Sequence, residues 1–174
     1  MVRNLKTGKN GMITLDVIAR EPSQLRMELT GPFNVHVASV AMSGPEVRYI
    51  LTQQKRFVEA PADADSLNRL VPVRISPKVL MAVLFERRLP ETEWKCDREA
   101  QSKLPIECVQ ADEGIVVRWI ERNGRNRRVK IGAPEAEVEM VIDEAKSKVE
   151  MNEETFTLAP PNGYKQERMR SRST

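Results

Sequence analysis

The chain has 174 residues, of which 40% are hydrophobic and 30% charged. This composition is that of a folded domain with a sizeable core, and it excludes a disordered or fibrous chain. No apolar run reaches the ~18 residues of a membrane span, and the first ten residues lack the apolar segment of an export signal.

The net charge of +3 is concentrated at the end of the chain. Residues 165–174 hold four basic and one acidic side chain, and four minus one is the whole excess of three. A nucleic-acid-binding protein is expected to place its excess charge on a folded face, so we expect no nucleic-acid partner. Residues 165–174 carry no hydrophobic pattern and are predicted to be a basic flexible tail.

Strand signals dominate the first sixty residues. Strands are predicted over 12–20, 24–30, 35–41, 47–52 and 56–59, with turns at Pro22 and Gly44. Successive hairpins of this spacing are typical of a meandering antiparallel sheet.

The middle of the chain predicts helices. Residues 63–66 offer N-caps for a short helix through Val71. A second helix is expected from Ser76 as N-cap and Pro77 as first residue, ending before Pro90. Its apolar residues cover most of the circumference, which indicates a helix packed on several sides.

The second half predicts strands over 93–98, 105–110, 114–122, 125–132, 135–143 and 147–151. Asn123-Gly124 is the signature of a tight hairpin. A sheet of about ten strands interrupted by one helical insertion tends to curl. We therefore expect a mainly β protein with a single domain over residues 1–164 and a closable apolar pocket.

No motif for catalysis or cofactor binding is present. His36 is the only histidine, which excludes a two-histidine metal site, and we interpret it as structural or as a surface residue. Glycine-rich phosphate and dinucleotide loops are absent from the sequence. We expect no catalytic residues, no metal and no cofactor, and hence not an enzyme.

A basic stretch from Arg118 to Lys130 is followed by acidic residues between Glu135 and Glu144. These charges indicate either neighbouring strands that pair opposite charges or a phosphate-binding patch. The second interpretation leaves a basic nucleic-acid-binding protein as an alternative function.

Cys96 and Cys108 flank the predicted hairpin 93–110. Pairing about its midpoint, Ser102, places them opposite each other on the apolar face. They form a disulfide if the compartment is oxidising, or two buried thiols if it is not.

Several short motifs resemble those of bacterial lipoprotein localisation factors. They are 25–33 (Leu-Arg-Met-Glu-Leu-Thr-Gly-Pro-Phe), 67–70, 73–80, 84–90, 94–108 and 156–164 (Phe-Thr-Leu-Ala-Pro-Pro-Asn-Gly-Tyr). Their order and spacing over residues 11–164 carry the resemblance, which is closer to the outer-membrane acceptor, LolB, than to the soluble carrier, LolA. The resemblance begins after the family's N-terminal helix and first strand, which we therefore expect to be missing from this chain.

The resemblance implies an incomplete (half-open) antiparallel β-barrel with a short helical lid, which binds lipoprotein acyl chains in the periplasm. The implied partners are lipoproteins or another acylated ligand, the inner leaflet of the outer membrane, and a periplasmic carrier protein. The alternative is a periplasmic module of the same fold that binds a hydrophobic ligand or a protein without transferring lipoproteins.

Two sets of site residues follow. The apolar face of the sheet and the lid helix are expected to line an acyl pocket, with Leu25, Met27, Leu29, Leu80, Leu84, Trp119 and Met140 as candidates. The resemblance places a membrane-transfer loop at Gly31, Pro32 and Phe33, with Phe33 as the exposed apolar residue. Without the resemblance, a core aromatic at a strand end is the better interpretation of Phe33.

Overall fold

The protein is mainly β. The computed structural model describes residues 1–67, 69–124, 126–143 and 150–170. The strands are β1 (Val2–Asn4), β2 (Asn10–Gly11), β3 (Thr14–Arg20), β4 (Gln24–Thr30), β5 (His36–Ser43), β6 (Glu46–Leu51), β7 (Arg56–Pro61), β8 (Lys95–Arg98), β9 (Pro105–Gln110), β10 (Ile115–Asn123), β11 (Asn126–Ala133), β12 (Ala136–Ile142) and β13 (Lys165–Arg168). Helix α1 covers Pro77–Leu84, and short 3-10 helices cover Pro32–Asn34 and Glu153–Phe156. Among the described residues, no helix has the length and hydropathy that crossing a membrane requires.

The chain divides into two compact units. The first contains Met1–Gly11, Val71–Arg74 and Ala82–Val149, and the second contains Met12–Leu70, Ile75–Met81 and Glu150–Thr174. Because these segments alternate along the sequence, the division gives no single boundary point. The single domain over residues 1–164 stays a prediction.

The first unit is built on a seven-stranded sheet in the order β2-β1-β12-β11-β10-β9-β8. Its pairs are antiparallel, and period-two alternation places one set of apolar residues on one face. Trp119, Val129 and Met140 lie opposite one another on three adjacent strands, and all three are buried. This row is part of the core of the unit.

The other face of this sheet carries the charged stretch. Lys130 pairs with Glu137 at 2.8 Å, and Arg118 pairs with Glu107 of the neighbouring strand. Arg128 lies 3.7 Å from Glu139. The prediction of cross-strand charge pairs is therefore confirmed for these residues.

Two further arginines of the stretch converge on one carboxylate. Arg122 approaches Glu86 at 2.5 Å and Arg127 approaches it at 3.2 Å, with all three side chains largely buried. Arg122 also contacts Glu99 at 3.2 Å. These arginines neutralise acidic groups of their own unit, and Arg125 lies outside the described residues.

Strands β8 and β9 form the hairpin that carries the cysteines. Cys96 lies opposite Cys108 in the register, as the sequence predicts, and the two sulfur atoms are joined in a disulfide. Cys108 is buried, so the crosslink lies on the inner face of the sheet.

The second unit is built on a six-stranded sheet in the order β13-β7-β6-β5-β4-β3. Leu25, Met27 and Leu29 of β4 point to its buried face, where Tyr49 of β6 is fully buried. On the opposite face, Leu158 packs with Phe57 and Ala41 in a second apolar cluster.

The segment that follows residue 149 is fixed by one arginine of this sheet. Arg20 lies over the ring of Phe156 at 5.3 Å, pairs with Glu153 at 3.2 Å and donates to the carbonyl of Met151 at 2.9 Å. A single guanidinium thus combines a cation–π contact, an ion pair and a hydrogen bond.

The prediction of a flexible tail is wrong for Lys165–Arg168. These residues form β13, which pairs in parallel with β7. The carboxylate of Glu167 forms ion pairs with Arg56 and Arg69, each at 2.6 Å. The hydrogen bond from Arg69 is the main cause that lowers the pKa of Glu167. Backbone pairing and charge hold this strand without apolar side chains, which is why hydrophobic periodicity gave no signal. Residues 171–174 lie outside the described part of the chain.

The helix start at Ser76 is confirmed, because its hydroxyl accepts from the Val79 backbone N–H at 3.2 Å. The short helix predicted from residue 63 is wrong for the described residues 63–67 and 69–71, which form turns and irregular chain. Strands β1 and β2 were not predicted, and the predicted strand 147–151 lies mostly outside the described residues.

Truncation after Tyr164 should lower the melting temperature of the protein. It removes β13, exposes the edge of β7 and leaves Arg56 and Arg69 without Glu167. Differential scanning calorimetry should show a fall of several degrees, since a loss of ~1 kcal/mol shifts a domain of this size by ~2–4 °C. Truncation after Arg170 keeps the described contacts and serves as the control. Equal melting temperatures for the two truncations would show that β13 contributes nothing.

Replacing both cysteines by alanine should lower the free energy of unfolding by about 3 kcal/mol. The disulfide joins residues twelve apart, and the estimate is the loop-closure entropy that the crosslink removes from the unfolded chain. Urea unfolding of the oxidised parent, the reduced parent and Cys96→Ala/Cys108→Ala measures it. The last two should agree, and a variant as stable as the oxidised parent would contradict the prediction.

Candidate functional site: an exposed apolar loop above a polar network

The predicted acyl-pocket residues lie in both units. Leu25, Met27 and Leu29 share the buried face of β4, and Leu80 is buried in α1; these four belong to the second unit. Three of them are thus brought together by one strand.

The remaining candidates belong to the first unit. Trp119 and Met140 lie in one row, each opposite Val129. Leu84 is half-buried at the last residue of α1. Trp119 and Met140 therefore flank Val129 on one apolar face. Both are buried, as core residues of the sheet would also be.

Trp119 carries an unusual polar atom for such a face. Its indole N–H is buried and has no hydrogen-bond acceptor among the described residues. Indole nitrogen is only a donor, and a buried donor without a partner costs free energy. A carbonyl oxygen of a ligand is the type of group that would satisfy it. Trp94 has the same property at its own position.

The predicted transfer loop is the most exposed apolar feature of the described chain. Phe33 is 99% exposed, at the centre of the 3-10 helix between β4 and β5. The interpretation of Phe33 as a core aromatic is therefore wrong. Gly31 closes the loop by donating to the carbonyl of Val35 at 2.8 Å.

The loop backbone is strained at two consecutive residues. Phe33 has φ 60° and ψ 27°, and Asn34 has φ 59°. Asparagine tolerates this left-handed region, but a bulky aromatic residue rarely occupies it. Backbone strain of this kind clusters at functional sites, where surrounding structure maintains it.

That surrounding structure is a polar network at the base of the loop. Glu28, near the end of β4, accepts from Ser39 at 2.5 Å and from Arg26 at 2.6 Å. His36, the first residue of β5, lies 3.0 Å from Glu28 through Nε2 and 2.8 Å from the Thr52 hydroxyl through Nδ1. The network therefore ties β4 and β5 to the turn after β6.

The same network contains a serine, a histidine and a carboxylate, but its geometry differs from that of a nucleophile relay. Ser39 lies 3.1 Å from His36 Nε2, the same nitrogen that faces Glu28. A relay needs the carboxylate on the opposite nitrogen, which here faces Thr52. The hydrogen bonds of this network instead hold β4, β5 and the turn after β6 in position.

The pKa of Glu28 reflects this role. Partial burial raises its pKa, but hydrogen bonds from Ser39, His36 and Arg26 outweigh burial, and the pKa is lowered from its ordinary value of 4.5. The charged carboxylate is thus the form that the folded network stabilises.

Local sequence patterns do not predict this network, because Glu28 and Thr52 lie eight and sixteen residues from His36 along the chain. Only the register, which places Glu28 opposite Ser39 and Thr30 opposite His36, brings them together. No group of three or more metal-ligating side chains occurs among the described residues. Comparisons with protein-family models and with curated proteins give no match.

Glu28→Gln should destabilise the protein by about 1 kcal/mol at neutral pH, because the neutral amide accepts weaker hydrogen bonds than the carboxylate. The stabilisation by Glu28 is complete above its ordinary pKa of 4.5 and is lost as the pH falls through its lower folded value. Urea unfolding over a pH series should show the difference between parent and variant closing in acid.

Asp16→Asn is the matched control. Asp16 lies opposite Glu28 in β3 and is exposed. It should change the free energy of unfolding little at neutral pH. A Glu28→Gln deficit that persists undiminished at roughly pH 3 would contradict the proposed role of the carboxylate.

Proposed function

We propose that this protein is an incomplete, half-open antiparallel β-barrel with a short helical lid, which binds acyl chains of lipoproteins and delivers them to the outer membrane from the periplasm. It resembles the lipoprotein localisation factors, and among them the outer-membrane acceptor. The observation that carries the proposal is Phe33, fully exposed in a strained loop. An aromatic ring in that position has a lower free energy in a membrane interface than in water.

Exposure and strain together argue for a role outside the fold. A phenylalanine ring left in water forgoes ~1.5–3 kcal/mol of burial free energy. The left-handed backbone adds a cost of ~1–3 kcal/mol. A loop selected for stability alone would place glycine or a polar residue here. The retained aromatic side chain favours insertion into an apolar medium.

Acyl binding is supported by the apolar residues of the two sheets. Leu25, Met27 and Leu29 on one sheet, and Trp119 and Met140 on the other, line extended apolar faces. The Trp119 indole N–H, which has no acceptor among the described residues, suits the ester or amide carbonyl at the head of an acyl chain. Each methylene removed from water contributes ~0.8 kcal/mol to binding.

The disulfide supports an oxidising compartment. Cys96 and Cys108 are crosslinked, and such bonds persist in the periplasm and are rare in the bacterial cytoplasm. We propose lipoproteins or another acylated ligand as the cargo and a periplasmic carrier as the donor. A module of the same fold that binds a hydrophobic ligand without transfer is the competing function.

Two variants should separate binding from delivery. Leu84→Glu should weaken binding of a dansyl-labelled fatty acid about tenfold or more, because a charge in the lid must be buried or hold the lid open. Phe33→Glu should leave this binding unchanged but slow transfer of a fluorescent lipopeptide into phospholipid vesicles about tenfold. Dansyl fluorescence and vesicle energy transfer measure the two steps.

Phe33→Leu is the control, since it keeps an apolar loop and should retain transfer. Melting temperatures verify that both glutamate variants are folded. Absence of fatty-acid binding by the parent protein would contradict the acyl-binding proposal. Normal transfer by Phe33→Glu would overturn the role of Phe33 in delivery, and fatty-acid binding without transfer by the parent would leave the competing function.

A further inference from the structure

The loop of Phe33 lies at one end of the six-stranded sheet, together with other exposed apolar residues. Val35, in the same loop, is 47% exposed. Met12 is 71% exposed and precedes β3, whose first residue, Thr14, lies opposite Thr30 at the end of β4. This end of the sheet therefore presents apolar side chains from two neighbouring segments.

Two lysines lie at the same end of the sheet. Lys55 lies in the turn that follows β6. A hydrogen bond of 3.1 Å from the Thr52 N–H to the carbonyl of Val37 connects this turn to the start of β5, beside the Phe33 loop. Lys165, at the start of β13, lies beside this turn, since its N–H donates to the carbonyl of Lys55 at 2.9 Å. Backbone pairing thus fixes both lysines at the end that carries Phe33.

Both lysine side chains are exposed, and neither forms an ion pair with any described residue. The nearby carboxylates already have partners. Glu28 is held by Arg26 and His36, and Glu167 is held by Arg56 and Arg69. Asp16, two residues inside the end of the edge strand β3, is an exposed acidic residue near this end of the sheet.

The opposite end of the same sheet differs in charge. There Arg48 pairs with Glu46 and Glu59, and Arg168 lies 3.8 Å from Glu46. Arg48 and Arg168 are thus matched by carboxylates of the same unit. Cations with no ion pair and exposed apolar residues thus occur together at the Phe33 end.

We propose that this end of the sheet, defined by Phe33, Val35, Lys55 and Lys165, is a docking surface for a bilayer that contains anionic phospholipids. This rests on the proposed function and names the lipid that the transfer loop meets. Phe33 and Val35 enter the interface, while the long lysine side chains reach the headgroup phosphates beside them. The partner is the phospholipid headgroup in a bilayer, recognised by charge.

The experiment measures flotation of the full, unliganded protein with vesicles of phosphatidylcholine alone or mixed with phosphatidylglycerol. The parent should bind the mixed vesicles more tightly, and added salt should reduce the difference. Lys55→Gln/Lys165→Gln should weaken binding to mixed vesicles about twenty-five-fold, from about fivefold for each lysine, with no change on phosphatidylcholine alone.

Arg168→Gln/Arg170→Gln is the matched control, because it removes the same charge at the opposite end of β13. It should bind mixed vesicles as the parent does. Equal losses in the two double variants would show a net-charge effect and overturn the proposal. So would retention of the full preference by Lys55→Gln/Lys165→Gln, or a tighter, lysine-dependent binding to DNA than to mixed vesicles.

Failure of this inference is distinguishable from failure of the proposed function. Fatty-acid binding in solution does not involve the lysines, so Lys55→Gln/Lys165→Gln should bind the dansyl-labelled probe as the parent does. Charge-independent docking with normal probe binding overturns the inference alone. Charge-dependent docking without probe binding in the parent overturns the acyl-binding function alone and supports the docking surface.

Discussion

The register between β4 and β5 is the constraint on which the Phe33 end of the molecule depends. It places Met27 opposite Val40 on the buried face and Glu28 opposite Ser39 on the other. A slip by one residue would exchange these faces, burying Glu28 and exposing Met27. Burial of the apolar set therefore fixes the polar network indirectly, and the network in turn holds the strained loop. The two strands that flank the Phe33 loop thus have one acceptable pairing.

Local alternation predicted the central strands well. The bounds of Gln24–Thr30 and Pro105–Gln110 are those that the sequence predicts, because turn residues flank a clear pattern in each. The capping serine and the proline after it located the start of α1 for the same reason: capping acts within one turn of chain. The opposition of Cys96 and Cys108 followed from the symmetry of a hairpin.

What the sequence could not predict depends on partners far along the chain. Strand β13 has no apolar pattern, and it exists because β7 offers an edge and two arginines meet Glu167. The Glu28 network needs the register of three strands. The turns around residue 66 show the reverse effect, in which good N-cap residues hydrogen-bond locally and no helix follows. Local propensity was overridden wherever tertiary contacts or side-chain hydrogen bonds competed with it.

In the membrane docking that we propose, one aromatic ring and two lysines set the strength of the contact. Insertion of a phenylalanine contributes at most ~3 kcal/mol, and each lysine near an anionic surface contributes about 1 kcal/mol. Neither contribution alone holds a protein on a bilayer, and stable anchoring requires two signals that are each stronger than these. Their sum gives brief, reversible attachment. A protein that delivers cargo must leave the membrane or release its loop after each transfer, so weak contact at a rigid position is what delivery requires. The rigid position comes from the β4–β5 register, which links the packing of Met27 to the behaviour of Phe33.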